Sequence, residues 1–204
     1  MKIASLNCQG LRAHLADIKT DDKLLMADII QLSETSMKNE DYKEEFDLEG
    51  YAKAFINVGN GKGIATYYKE TKIIPITEVK KEKFQITKYA TIDIDIINIY
   101  RSQTGHSVEL FEDLVNIIEP KRTTIITGDF NICYIENFNN RLIQGLLSMG
   151  FDQQVHEPTH IRGRLIDQVF YIDPNNCMDT IIKRYSPYYS DHDAILVTLK
   201  AKSK

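Results

Sequence analysis

Short strand-like runs of apolar and β-branched residues recur along the whole chain, and they limit its fold more than any other feature. One run, Thr91–Tyr100, alternates Ile with Asp before it becomes apolar, which is typical of a strand with one wet face. The other runs are Ile3–Leu6, Ile29–Leu32, Gly63–Tyr68, Ile73–Val79, Thr124–Thr127, Leu165–Tyr171, Thr180–Lys183 and Ala194–Leu199.

Helical spacing of apolar residues occurs in few places. It is found between Leu15 and Leu25, in Val108–Ile118 and in Arg141–Met149. We expect Ser107 to cap the second helix and Pro120 to end it. Many strands and few helices in mixed order predict an α/β sandwich, with two packed sheets and the helices outside them.

The length of 204 residues suits one domain, and no repeat, low-complexity segment or Pro/Ser-rich linker divides the chain. We therefore expect a single domain over residues 1–199, followed by a polar tail over 200–204. No apolar run approaches the roughly 20 residues of a membrane span. The first residues also lack the apolar segment of a signal peptide, so we expect an intracellular protein without a membrane partner.

Charge and cysteine content exclude some classes of protein. The net charge is −4 and the isoelectric point about 5.8, which argues against a protein that coats nucleic acid by charge alone. This balance still permits an enzyme that places divalent cations between its carboxylates and a phosphate. Cys8, Cys133 and Cys177 form no CxxC pair, so a zinc ribbon and a disulfide framework are not expected.

Polar side chains stand directly beside several of the predicted strands. Gathered at one sheet edge, these carboxylates, amides and one imidazole would form an oxygen-rich site for Mg²⁺ or Mn²⁺ with an adjacent acid/base group. Each is ambiguous alone, because a Gly-Asp pair after a strand is usually a turn. The side chains are Asn7, Glu34, Tyr100, Asp129, Asn131, Asp191 and His192.

Taken together and in order, the segments around these residues resemble the endonuclease/exonuclease/phosphatase superfamily, and within it the apurinic/apyrimidinic endonuclease branch. Gly128–Asn131 matches its GDFN motif and Ser190–His192 its SDH motif. Further similar segments are Asn7–Ala13 (NxxGLRA), Ala27–Thr35 (DIIxLQET), Gly61–Ala65 (a glycine-rich hairpin), Asn98–Tyr100 (the strand with the active-site tyrosine) and Ile166–Val169 (LDxV).

The resemblance implies a four-layer α/β sandwich and hydrolysis of a phosphate ester by in-line attack of water, with Mg²⁺ as the usual metal. The GLRA turn and the tyrosine strand favour a nuclease acting on duplex DNA. Short domains of this kind resemble those of non-LTR retrotransposons and other mobile elements, which nick DNA and leave a 3′-hydroxyl. We accordingly expect a monomer, tethered to other domains if its parent protein is longer, and a nuclear location if it derives from a mobile element.

The resemblance also assigns roles to individual residues. Glu34 is the expected metal ligand, with Asn7 and Asp191 beside it. Asp129 would orient or deprotonate the attacking water, and Asn131 would hold that water or the phosphate. His192 would donate to a phosphate oxygen while Asp167 fixes its tautomer, and Tyr100 would contact the phosphate or the leaving oxygen. The expected substrate contacts are Arg12, Arg101, Arg164 and Asn137, the last with Asn139 and Asn140 as alternatives.

Several alternatives stay open. Gln9 stands where cellular apurinic endonucleases tend to have an acidic residue. The chain also has no Trp that could line a pocket for an abasic site. Tyr100 is also compatible with an ordinary core position, and the basic residues with plain surface charge. His156 and His160 lie in a loop that we expect near the substrate groove. Competing functions are abasic-site repair, hydrolysis of RNA 3′ ends, 5′-tyrosyl-DNA or inositol phosphates, and a catalytically silent scaffold.

Overall fold

The strands of this chain form two six-stranded sheets in a computed structural model that describes residues 1–38 and 43–202. None of the helices within these ranges is long and apolar enough to cross a membrane. In chain order the elements are β1 (Lys2–Asn7), α1 (Leu11–Thr20), α2 (Asp22–Leu25), β2 (Ile29–Ser33), a 3-10 turn (Lys43–Phe46), β3 (Ala52–Gly59), β4 (Lys62–Tyr68), β5 (Ile74–Lys80), β6 (Phe84–Ala90), β7 (Ile94–Arg101), α3 (Ser107–Ile117), β8 (Thr123–Asp129), α4 (Arg141–Ser148), β9 (Asp152–Gln153), β10 (Asp167–Ile172), β11 (Met178–Tyr185) and β12 (Ala194–Ala201).

Each sheet combines one parallel pair of strands with antiparallel neighbours. The first sheet has the order β11-β12-β1-β2-β4-β3, and the second has the order β5-β6-β7-β8-β10-β9. The parallel pairs are β1 with β2 and β7 with β8. A parallel pair needs a crossover connection, which α1 and α2 supply in the first sheet and α3 in the second.

Three apolar clusters separate four layers and confirm the predicted sandwich. Side chains of α1 such as Leu11 and Ile18 pack with Leu6 and Leu32 on the outer face of the first sheet. Leucines of α3 and α4 pack on the outer face of the second sheet. The cluster between the sheets includes Ile3 and Ile29 from one side and Ile96, Ile125 and Val169 from the other. The layers are therefore helix, sheet, sheet and helix.

The register of the strands places polar residues at one end of both sheets. Asn7, the last residue of β1, pairs with Ser33 at the end of β2. In the second sheet Tyr100 of β7 and Asp167 of β10 both pair with Asp129 at the end of β8. Parallel strands that end together deliver their following loops to the same edge, so this edge collects the polar side chains named above.

The structure also corrects several sequence expectations. Strands β3, β6 and β9 were not expected. The helical stretch from Leu15 to Leu25 divides at Asp21, whose side chain accepts from the N–H groups of Lys23 and Leu24 and starts a new helix. Ser107 is the first residue of α3 rather than its cap, because His106 precedes it without a side-chain hydrogen bond.

The carboxyl-terminal boundary differs as well. Strand β12 pairs with β11 through Ala201, so Lys200 and Ala201 belong to the sheet and not to a polar tail. The last two residues of the expected tail, 203–204, lie outside the described residues. Helix α3 ends at Ile117, before Pro120.

A buried ion pair fastens α3 to the second sheet. Lys88 of β6 and Asp95 of β7 are 3% and 1% exposed, with the Lys88 Nζ 2.7 Å from the Asp95 Oδ2. Lys88 Nζ also donates to the carbonyl of Ile117, at the end of α3, and to Glu119. Arg122 Nε lies 2.7 Å from the other Asp95 oxygen. The network joins two strands and a helix terminus through one desolvated carboxylate.

Replacing Asp95 by Ala should lower the free energy of unfolding by about 3–5 kcal/mol, because it leaves the buried ammonium of Lys88 without its only buried counter-charge among the described residues. The matched control is Glu119→Ala, which removes the exposed partner of the same lysine and should cost about 0–1 kcal/mol. Urea denaturation followed by circular dichroism measures both values. Equal losses in the two variants would contradict a structural role for the buried pair.

Candidate active site

Asp129 lies at the point where the two sheets meet. It is 1% exposed. Its Oδ2 accepts a hydrogen bond of 2.9 Å from Asn7 Nδ2, which comes from the other sheet. Its Oδ1 accepts from the backbone N–H of Asn131 at 2.9 Å. The Asp129 carboxylate is therefore oriented by both sheets.

The Gly128–Asn131 turn adopts this shape because of its residue types. A Cβ atom on Gly128 would lie 1.9 Å from the carbonyl oxygen of Ile99, so only glycine allows β8 to approach β7 this closely. Asn131 has a φ of 48°, in the left-handed region that Asn tolerates better than most residues. Its side-chain nitrogen donates to the carbonyl of Arg101 at 2.8 Å, which fixes the turn against β7.

A second buried acid holds His192. The Asp167 Oδ2 lies 2.8 Å from His192 Nδ1 and accepts a further 2.7 Å hydrogen bond from the Thr159 hydroxyl. Because a carboxylate accepts, Nδ1 carries a proton, and Nε2 is the nitrogen left for chemistry. Ser190 joins this loop to β1, since its hydroxyl donates to the carbonyl of Asn7 at 2.7 Å and accepts from the His192 N–H.

Glu34 follows β2 directly and completes the acidic side of the site. Its φ of 52° turns the chain sharply at the strand end. The hydroxyl of Tyr100, from the opposite sheet, donates to Glu34 Oε1 at 3.3 Å. Burial raises the pKa of Glu34, with a further contribution from the charge of Asp191, while Asn7, His192 and Tyr100 oppose the rise.

The charges of the site are not balanced by the protein alone. Burial, followed by the charge of Asp167, raises the pKa of Asp129 from 3.8 to about 8. Burial alone would lower the pKa of His192, but the hydrogen bond and charge of Asp167 outweigh it and raise that pKa from 6.5 to about 9. One imidazolium thus faces four acidic side chains, namely those of Glu34, Asp129, Asp167 and Asp191, and burial disfavours the charged form of Glu34 and Asp129.

This donor set fits a hard divalent cation. Asp191 Oδ1 is buried without a hydrogen-bond partner, and a buried acceptor of that kind is stabilised by positive charge, which His192 Nε2 at 3.6 Å supplies only in part. Ligand atoms of Asp129, Asp167 and His192 lie within 4.8 Å of one another, and so do those of His160, Asp191 and His192. Carboxylate and amide oxygens are ligands that Mg²⁺ and Mn²⁺ accept.

The expected metal and catalytic residues therefore gather at one place, linked by the contacts above. We call this set the site cluster: Asn7, Glu34, Tyr100, Asp129, Asn131, Asp167, Asp191 and His192. The proximity of these side chains is an observation, and their individual roles stay predictions. Tyr100 is both a buried sandwich residue and a neighbour of Glu34, so the two interpretations of it are compatible.

Arg101 is placed differently from the sequence expectation. It was expected to contact a DNA phosphate, but it is only 8% exposed. Its guanidinium donates to the carbonyls of Phe130 and Gly105, and at 3.4 Å to that of Asn131. Arg101 therefore braces the turn after Asp129 from inside, because those carbonyls have no strand partner in this irregular segment.

The other expected substrate contacts lie at the surface. Arg12 pairs with Glu45 at 2.6 Å and stacks over the ring of Phe46. Arg164 lies 3.8 Å from Glu136, and Asn137 is exposed. Among the alternatives, Asn140 caps α4 by accepting from the N–H of Leu142. Substrate contact by Arg12, Arg164 and Asn137 stays a prediction.

Three residues contact the site cluster that the sequence did not assign to it, although His160 was expected in a loop near the substrate groove. Thr159 supports Asp167 as described above, and His160 Nε2 lies 3.3 Å from Asp191 Oδ2. Gln9 accepts from the backbone N–H of Asp191 at 3.2 Å, so the amide that departs from the family pattern still contacts the site. The only signal in the sequence was the adjacent Thr-His pair shortly before the strand of Asp167.

Comparison with solved structures finds the same fold in several nucleic-acid enzymes. An AP endonuclease from Archaeoglobus fulgidus has a TM-score of 0.76 and 18% identity, with 98% of this chain and 100% of that chain covered. The endonuclease domain of TRAS1, a telomere-specific non-LTR retrotransposon, has a TM-score of 0.73 and 16% identity, with 99% of both chains covered. The 3′ phosphatase NExo from Neisseria, bound to product DNA hairpin, has a TM-score of 0.71 and 15% identity, with 98% and 99% covered.

A comparison with curated proteins finds no match. The model of the Endonuclease/Exonuclease/phosphatase family, in contrast, matches residues 4–192 and so covers the whole site cluster and every strand of both sheets except β12 and the start of β1. This superfamily consists of hydrolases, nucleases and phosphatases among them, that generally depend on a divalent metal ion. With that extent of match, the two mixed sheets and the acidic site at their common edge, the chain belongs to the endonuclease/exonuclease/phosphatase family.

Proposed function

We propose that this protein is a Mg²⁺-dependent DNA endonuclease that hydrolyses a phosphodiester bond and leaves a 3′-hydroxyl. The observation that carries the proposal is the placement of a buried carboxyl group, Asp129, within 4.8 Å of the imidazole of His192, which Asp167 holds by its Nδ1. A base and a proton donor at adjacent positions are what in-line attack of water on a phosphodiester requires.

The charge of each side chain suits it to a different role in the reaction. Asp129 would orient the attacking water or, in its ionised form, accept its proton, and Asn131 helps to place that water. His192, protonated at neutral pH because of Asp167, would donate from Nε2 to a phosphate oxygen. Tyr100 keeps its proton, since burial and the charges of Glu34 and Asp129 raise its pKa, and its hydroxyl can donate to the phosphate or to the leaving oxygen.

Glu34, Asn7 and Asp191 are the residues that we assign to the cation. When bound, Mg²⁺ or Mn²⁺ would supply positive charge to a phosphate oxygen and to the leaving oxygen, which the protein cannot do with one imidazolium. Asp191 Oδ1, which is buried without a hydrogen bond, and the raised pKa of Glu34 both support a cation at this position.

DNA is the proposed substrate because the structurally similar proteins named above include an AP endonuclease, a retrotransposon endonuclease domain and an enzyme bound to a DNA hairpin. The absence of Trp favours a simple nick over capture of a flipped-out abasic nucleotide. The net charge of −4 gives weak attraction to DNA, so delivery by a neighbouring domain of a longer protein suits this activity. The nuclear location and the monomeric state stay predictions.

The test is a substrate panel with either Mg²⁺ or EDTA: supercoiled plasmid, an abasic duplex, single-stranded RNA, 5′-tyrosyl-DNA and an inositol phosphate. The proposal expects metal-dependent nicking of the plasmid, with ends that a DNA polymerase extends without prior phosphatase treatment. Turnover of another substrate only would move the assignment to a different phosphodiesterase. Metal binding without turnover of any substrate would indicate a scaffold.

Removing either proposed proton-transfer group should lower the nicking rate sharply. Asp129→Ala and His192→Ala are each expected to slow nicking by at least about 100-fold, because each removes a group that acts in the transition state. The controls are Asp152→Ala and His156→Ala, which change exposed residues of the same types. The measurement is the initial rate of nicking at saturating Mg²⁺. If either variant nicks as fast as the wild type, the role assigned to the replaced residue is rejected.

The protonation of His192 can be followed directly in the metal-free protein. Its imidazole proton signals in NMR, assigned with a His192→Gln variant, should titrate with a midpoint near 9 in EDTA. Asp167→Asn removes the negative charge that favours the imidazolium, so the midpoint should fall by about 1 to 3 pH units. Asp152→Asn is the control and should leave it unchanged. A wild-type midpoint near the ordinary 6.5 would show that Asp167 does not hold the charged form.

A further inference from the structure

The loop over residues 159–164 is bound to the Ser190–His192 turn along its backbone. The N–H of Ile161 donates to the carbonyl of Asp191 at 3.0 Å, and the N–H of Asp193 donates to the carbonyl of Thr159 at 2.7 Å. Between these bonds the rings of His160 and His192 pack edge to face, with centroids 4.8 Å apart. His160 is thus held against the site cluster from both sides.

The hydrogen bonds of His160 determine which ring nitrogen carries the proton. The backbone N–H of Arg162 lies 3.1 Å from His160 Nδ1. A backbone N–H can only donate, so Nδ1 must accept and the proton resides on Nε2. Nε2 lies 3.3 Å from Asp191 Oδ2. The protonated Nε2 of His160 therefore faces Asp191 Oδ2 at a distance from which it can donate, and it cannot itself bind a metal ion.

Asp191 is held at two points and presents one oxygen to the site. Gln9 accepts from its backbone N–H, and His160 faces its Oδ2. Its Oδ1 is buried without a hydrogen-bond partner, 3.6 Å from His192 Nε2. A carboxylate whose one oxygen is occupied by a neighbouring donor keeps the other in a fixed direction, which is how surrounding side chains orient metal ligands.

We infer that His160 is a positioning residue, which donates Nε2–H to Asp191 Oδ2 and thereby holds Asp191 Oδ1 toward the divalent cation of the site. The inference rests on the proposed function for the presence of that cation and adds a residue that sets how tightly it is bound. No contact of His160 with the substrate is required. The effect of losing it should accordingly fall on cation affinity rather than on the maximal rate.

Three substitutions of His160 distinguish the effect of its hydrogen-bond donor from the effect of its ring. In His160→Gln the side-chain amide nitrogen can reach the place of Nε2 and donate to Asp191. In His160→Asn the amide reaches only the place of Nδ1, and His160→Phe keeps a ring without a donor. Binding of Mn²⁺ to the metal-free protein, measured by the electron paramagnetic resonance of free Mn²⁺, reports affinity without any turnover.

His160→Phe and His160→Asn should weaken Mn²⁺ binding by about 10- to 100-fold, the usual cost of losing a residue that orients a ligand. They should raise the Mg²⁺ concentration needed for half-maximal nicking by a similar factor, with the rate at saturating Mg²⁺ changed much less. His160→Gln should recover most of the lost affinity. Asp191→Asn is the positive control, and His156→Phe, an exposed histidine in the preceding segment, is the matched negative control.

Thermal unfolding followed by circular dichroism identifies any variant that is not folded, and such a variant is set aside. The Mn²⁺ affinities of the folded variants then test the inference. The inference is overturned if the folded Phe and Asn variants bind Mn²⁺ like the wild type. It is also overturned if Gln loses as much affinity as Phe, or if the wild-type protein binds no Mn²⁺. Mn²⁺ binding that depends on His160, in a protein that nicks no DNA, would support the inference while rejecting the proposed function.

Discussion

The hydrogen bond from Asn7 to Asp129 is the contact on which the site depends, because it joins the two sheets at the edge where the chemistry is proposed. Its partners are 122 positions apart in the chain and end strands of different sheets. The bond from Tyr100 to Glu34 repeats this arrangement with the neighbouring strands. Both bonds form only because the apolar cluster between the sheets holds the strand ends within reach. The site is thus a consequence of sandwich packing.

The same packing buries several acidic side chains close together, and among the described residues they have only one cationic partner, His192. Burial brings carboxylates together with one imidazolium, and it raises the pKa of Asp129 and of Glu34. A fold selected for stability alone would not gather more buried acids than cationic partners at this position, since burying a charge without an opposite charge costs free energy. The buried pair of Lys88 and Asp95 shows the contrasting solution, in which each charge meets an opposite one. The unbalanced charge is therefore the feature that distinguishes the site from a structural network.

Strands with regular apolar patterns were predictable, whereas β6 was not. This strand contains three buried polar residues, Gln85, Thr87 and Lys88, so its sequence lacks the apolar pattern of a buried strand. Gln85 accepts from the backbone N–H of Gly63 on the other sheet, and Lys88 pairs with Asp95. Polar residues can occupy such positions when distant partners satisfy them, and no local pattern reveals those partners. The burial of Arg101 was unexpected for the same reason, since a basic residue at the end of a strand gives no sign that backbone carbonyls enclose it.

The sequence by itself determined the fold class, the residues at the strand ends and the family, because periodicity, turn chemistry and ordered motifs are properties of short segments. The tertiary structure alone decided that Arg101 is internal, that Gln9 and His160 contact Asp191, and that Thr159 supports Asp167. The physical reason is the difference between local and long-range interactions. A strand forms from the preferences of adjacent residues, but the partner of a buried polar group is chosen by how two sheets and their loops pack.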